Sequence, residues 1–245
     1  MQHHDRVSTV QISRMNQRQL LSTRFCQLDI TVEHTPIQKY VERLYREIDA
    51  AGMHGFRPKV YFGDEWFCPD GSTLISVPFY LAHRNLKKLE ASITGQVEGE
   101  HPRDLMRLLR HETGHCFNHA FQLNKTREWR ELFGSPKKLY AVENYPADPH
   151  SKHFVRHLSG FYAQSHPDED FAESFAVWLS PWSQWRRRYA HWPKALKKLH
   201  YVDRMVENLK LEFDRIPKSR PLSHVRQLRS TLGRYYKKRV TRCTL

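Results

Sequence analysis

Between Pro102 and Leu123 the chain commits to one long helix whose buried side has to accommodate charge. Pro102 suits a first helical turn, and Leu105, Leu108, Leu109, Cys116, Ala120 and Leu123 recur at helical spacing. His111, Glu112 and His115 fall in the middle of that run. One turn separates the two histidines, so both imidazoles project from the same face and can reach a single metal ion. Glu112 is rotated from them by about 100°, and its carboxylate can reach a metal-bound water without being a ligand. Imidazoles and a carboxylate inside a core are costly unless a metal or hydrogen bonds satisfy them. Zinc is the expected ion for such nitrogen and oxygen donors.

At 245 residues and 39% apolar content, the chain can bury a sizeable core. It contains no run of eighteen apolar residues, and Met1 to Ile30 is polar, so neither a membrane span nor a secretory signal is expected. Cys26, Cys68, Cys116 and Cys243 are scattered without a Cys-x-x-Cys pair, which fits a reducing, cytoplasmic setting. The net charge of +14 permits attraction to nucleic acid, anionic membranes or acidic proteins and does not choose among them. The cationic runs Arg186–Arg188 and Lys194–Lys198, and the tail from Arg215, read as solvated faces.

Along the chain, residues 1–30 show weak periodicity and read as an arm or outer layer, with His3 and His4 solvated. Thr35 can cap a helix that Pro36 begins, Gln38 completes a capping box and Gly52 ends, with Ile37, Val41, Leu44 and Ile48 as its buried stripe. Val60–Phe62 and Thr73–Val77 form short strands around an Asp70-Gly71 turn. Pro78 makes the second an edge strand, where an extended substrate could add its backbone. Gly134, Pro136, Pro146 and Pro149 break the middle of the chain into loops. Pro167 then opens a helix closed by Pro181. Glu169, Ala172, Glu173 and Ala176 share one face of it, and Phe171, Phe175 and Trp178 another. Two alanines among carboxylates let a second helix approach closely. Asp168 and Asp170 are explained by the helix dipole, but Glu173 lies too deep for that. Leu196, Leu199, Val202, Val206 and Leu209 mark a further packing helix. The expected fold class is α+β, mainly helical with a small sheet beside the long helix. The expected organisation is an arm over 1–30, one domain over 31–214 and a basic tail over 215–245.

A catalytic zinc takes three protein ligands, so two histidines demand a third donor. Six residues beyond His115 stands Phe121, which excludes the metzincin spacing, and simultaneous ligation by His119 would be strained. A distant glutamate is the best candidate, with His150, His153, His157 and His166 left open. His111-Glu112-x-x-His115 followed by Glu169-Asp170-Phe171-Ala172-Glu173 resembles the gluzincin metallopeptidases. It is similar to the catalytic domain of anthrax lethal factor and to small bacterial zinc-binding metallopeptidases, including a tyrosine seven residues before the first glutamate, here Tyr162.

The resemblance covers two segments, about thirty residues in all. It implies a zincin-like domain in which His111, His115 and Glu169 bind zinc and Glu112 is the general base. Glu173 would orient a ligand histidine and Tyr162 would assist the oxyanion, with His153, His157 and His166 as substitutes; Glu169 and Glu173 could exchange roles. The implied function is a zinc-dependent peptidase acting on a protein or peptide substrate. Two alternatives stand beside it. One is an SprT-like protease held to nucleic acid by the basic surface; the other is a non-catalytic basic binding protein with a structural zinc. Oligomeric state is not legible.

Overall fold

The computed structural model describes residues 6–140, 144–216, 221 and 223–243. His3 and His4 lie outside the described residues. The described chain is mainly helical with one two-stranded sheet, consistent with an α+β class. In order, the helices that matter are α1 (Thr9–Arg14), α2 (Gln17–Ser22) and α3 (Gln38–Ala50). Strands β1 (Lys59–Gly63) and β2 (Leu74–Pro78) follow, then α4 (Arg84–Thr94), α5 (Pro102–Phe121) and α6 (Arg127–Phe133). The second half holds α7 (Pro167–Leu179), α8 (Trp185–Arg188), α9 (Pro193–Leu209) and α10 (Leu232–Cys243). Among the described residues, no helix is long and apolar enough to cross a membrane.

Helices α5 and α7 form the centre of the molecule because small residues meet where they cross. A Cβ on Gly114 would lie 2.8 Å from Ala172 Cα and 3.0 Å from its carbonyl oxygen, so the backbones touch. Phe117, Phe171 and Phe175 pack around that crossing and are fully buried. Asn118 Nδ2 donates to Asp168 Oδ1 at 3.2 Å, pinning the two helices together. On the other side of α5, Arg110 forms a bidentate pair with Glu47 of α3, at 2.7 and 2.8 Å. Both are buried, and neither was visible as a partner in the sequence.

The sheet departs from expectation. Its strands are parallel, with Val60 opposite Ile75 and Phe62 opposite Val77. The Asp70-Gly71 turn therefore precedes β2 rather than joining a hairpin. The connection reaches the far side of β2 first, where Phe67 pairs antiparallel with Ser76 and the Ser76 N–H donates to Phe67 O at 2.9 Å. Ser76 Oγ donates to Glu65 O as well. The side of β2 expected to be open is thus covered by the chain itself, and all five of its residues are buried. Backbone addition of a substrate at Ser76 is excluded.

Two other expectations change. Helix α3 starts at Gln38 without a side-chain cap; Thr35 Oγ1 instead donates back to Val32 O, and Gln38 Oε1 accepts from His34 N. Residues 7–30, read as an arm or outer layer, pack as a layer, with Ile12, Leu20, Phe25, Leu28 and Ile30 buried in the main core. The basic C-terminal segment joins them: Leu232 and Tyr236 are buried, and Arg239 Nη1 donates to Glu90 Oε1 at 2.8 Å. Amphipathic segments this short show little periodicity, and only the partner surface reveals which side is buried.

Two charged residues also proved not to be solvated. Lys198, inside the cationic run, is buried against Asp170, which had seemed only a helix-start acid. Burial pushes the Asp170 carboxyl up to about 7 against the opposing pull of Lys198.

Candidate metal centre

Local chemistry positions the second helix. His166 Nδ1 accepts from Asp168 N at 3.2 Å as the N-cap of α7, Pro167 occupies the first turn and the acids after it favour the helix dipole. Glu169 and Glu173 then face α5 one turn apart, opposite His111 and His115, which are likewise one turn apart.

Three atoms converge. His111 Nε2 lies 3.1 Å from His115 Nε2 and 3.0 Å from Glu169 Oε2, and His115 Nε2 lies 3.3 Å from the same oxygen. Ligands about 2.0–2.1 Å from a tetrahedral zinc stand about 3.3–3.4 Å from one another, close to these separations. Among the described residues, His111, His115 and Glu169 are the one set of three or more such side chains that could hold a metal ion.

The surrounding hydrogen bonds prepare the donors. Glu173 Oε1 lies 3.0 Å from His111 Nδ1, which places the ring proton there and turns the Nε2 lone pair toward the other donors. Glu173 Oε2 accepts from Leu158 N at 2.8 Å, so both of its oxygens are engaged. Glu169 Oε1 accepts from the Tyr140 hydroxyl, leaving Oε2 for the cluster. Without a cation, these lone pairs would oppose one another.

Electrostatics tell the same story. Burial alone would discharge both rings, but Glu169 and Glu173 outweigh it at His111, holding it well above the usual histidine range. Glu169 likewise lifts His115 to about 9. Against its own burial, the two histidines hold Glu169 well below the usual carboxylate range. A site that demands positive charge takes it from protons or from a divalent cation, and the donor set fits zinc.

Glu112 sits beside this cluster with Oε2 buried and without a hydrogen-bond partner. Burial pushes its carboxyl up to about 7, partly opposed by His111 and His115. It lines both a small cavity of about 180 Å³ at the donors and an adjoining cleft of about 640 Å³. Tyr162 lines both too, its ring centroid 5.6 Å from that of His111, and burial raises its hydroxyl pKa. The turn that delivers Tyr162 is unusual, with Gly160 at φ 72° and Phe161 at φ 58°. A left-handed phenylalanine costs about 1–2 kcal/mol, which the tertiary structure has to offset.

The remaining histidines are engaged elsewhere or exposed. His157 Nε2 donates to Arg107 O at 3.0 Å, and burial depresses its pKa to about 4. His166 is spent on its cap and on Lys138 O. His150 and His153 are exposed.

Sequence reading missed Tyr140, which lies in a loop without local signal. It also missed a cluster beside the donors, in which Cys68 Sγ lies 3.4 Å from both Cys116 Sγ and His119 Nδ1. Hydrogen bonds from Cys116 and His119 bring the Cys68 thiol down to about 5 against its burial. His119, one turn beyond His115, was the available clue.

Residues 88–207 match the model of a family described as "Putative zinc-binding metallo-peptidase". The matched span, just under half of the chain, includes α5 and α7 with His111, Glu112, His115, Glu169 and Glu173. Neither the curated proteins nor the solved structures provide a match.

Proposed function

We propose that this chain is a zinc-dependent peptidase of gluzincin type, its zincin-like catalytic unit lying within residues 31–214. The observation that carries the reading is the convergence of His111, His115 and Glu169 beside the unpartnered, buried Glu112 oxygen. A structural zinc site needs no such acid, which favours catalysis over a purely architectural metal.

When bound, zinc supplies a Lewis acid that lowers the pKa of a water toward neutrality. Glu112, its own affinity for protons raised by burial, takes a proton from the attacking water and delivers it to the leaving amine. Glu173 holds His111 in one tautomer, and the Tyr140 hydroxyl holds Glu169 with one oxygen directed at the donors. Tyr162 donates a hydrogen bond to the oxyanion as it develops. The cleft beyond Glu112 receives the protein or peptide substrate.

The test is zinc content per folded chain, followed by cleavage of a peptide library by the parent and by Glu112→Gln. About one zinc per chain, with cleavage lost and metal retained in the variant, is the expected result. A folded protein that neither carries nor takes up zinc refutes the reading.

A further inference from the structure

Cys68 and Cys116 belong to distant parts of the chain, one in the connection between β1 and β2 and the other in α5. Their sulfur atoms nevertheless lie 3.4 Å apart. A disulfide bond is about 2.05 Å long, so an approach of about 1.3 Å separates the two thiols from a bond. The pair is asymmetric in access. Cys116 is fully buried, whereas Cys68 is only partly buried and lines the small cavity at the metal donors. The His119 ring on Cys68 is placed to take up and return a proton.

We propose that Cys68 and Cys116 form a peroxide-reactive dithiol that closes reversibly into a disulfide. Peroxide reaches Cys68 first. Its thiolate sulfur attacks one peroxide oxygen, the O–O bond breaks, and the departing hydroxide takes a proton to leave as water, with Cys68 now a sulfenic acid. Cys116 sulfur then attacks the Cys68 sulfur; the S–S bond forms, the S–O bond breaks, and hydroxide leaves with the Cys116 proton as a second water. Two thiols lose two electrons in total, and one hydrogen peroxide gains them. A dithiol reductant reverses the step by exchange.

The bond would tie the β1–β2 connection to α5 one residue beyond His115, on the wall of the cavity that holds the donors. The proposal does not depend on the peptidase reading, because its readout is covalent.

The experiment treats the reduced full chain with hydrogen peroxide and measures intact mass, followed by a non-reducing tryptic map. The expected result is loss of the mass of two hydrogen atoms, a cross-link between peptides 60–84 and 111–125, and its disappearance on reduction. A Cys26→Ser/Cys243→Ser double variant should behave as the parent. Cys68→Ser should lose the cross-link. Cys116→Ala, which keeps Cys68 but removes its resolving partner, should accumulate oxygen adducts on Cys68 instead. Oxygen adducts on Cys68 without the cross-link in the parent would overturn the proposal. So would cross-links to Cys26 or Cys243 formed in equal amount.

Discussion

Gly114→Ala is expected to leave a folded protein that binds its metal poorly. The added methyl would lie 2.8 Å from Ala172 Cα, 3.0 Å from Ala172 O and 3.1 Å from Phe175 Cβ. Carbon atoms settle at about 3.5–4.0 Å, so α7 has to retreat by about 1 Å. The first two obstacles are backbone, and no rotamer change relieves them. Overpacking of this kind costs about 1–3 kcal/mol, and replacing glycine by alanine inside a helix returns about 1 kcal/mol. The net loss is about 0–2 kcal/mol, a fall in Tm of at most about 8 °C for a chain of this size. The effect on the metal is larger. His111 and His115 stay on α5 while Glu169 moves with α7, and a metal site tolerates displacements of only about 0.2 Å. Zinc affinity should therefore fall at least about tenfold, measured by competition with a chromophoric chelator, with thermal unfolding of the chelated protein run alongside. Affinity indistinguishable from the parent would refute the claim that helix contact sets the donor geometry.

Other perturbations probe separate parts of the argument. Glu169→Ala should abolish zinc binding, whereas Glu173→Ala should weaken it by about 10–100-fold; the opposite ranking in the same chelator assay would exchange their roles. Tyr162→Phe should lower peptide turnover with zinc retained, while Tyr140→Phe should act through zinc affinity, since its hydroxyl touches Glu169. Lys198→Met leaves Asp170 buried without its partner and should cost about 3–5 kcal/mol in denaturant unfolding. Adding Asp170→Asn should recover much of that loss. His157 is held neutral in the fold, its pKa depressed from 6.5 to about 4 by burial. The unfolded chain therefore binds the extra proton first, and stability should fall as pH drops from about 6.5 toward 4, by about 3 kcal/mol in all. His157→Gln should flatten that part of the stability profile of the metal-free protein; an unchanged slope would remove His157 as its source.

The long-helix segment and the helix after Pro167 were legible because local rules govern them. Proline at the start, apolar residues at helical spacing and acids in a first turn place α5 and α7 and put His111, Glu112, His115, Glu169 and Glu173 on definite faces. The sequence also determined that two of those faces carried groups too polar to bury alone. The alanines and the resemblance gave grounds to expect those faces to meet, but not which residues would bring the helices into contact.

That was decided by Gly114 against Ala172, a contact between residues 58 positions apart in number that no periodicity encodes. The same is true of Tyr140 on Glu169, Lys198 on Asp170 and Cys68 on Cys116, each joining segments distant in sequence. The parallel pairing of β1 and β2 likewise depended on where the intervening chain could lie. Backbone conformation follows from neighbours along the chain, whereas the partner of a buried charge follows from neighbours in space, and only the packed helices supply those.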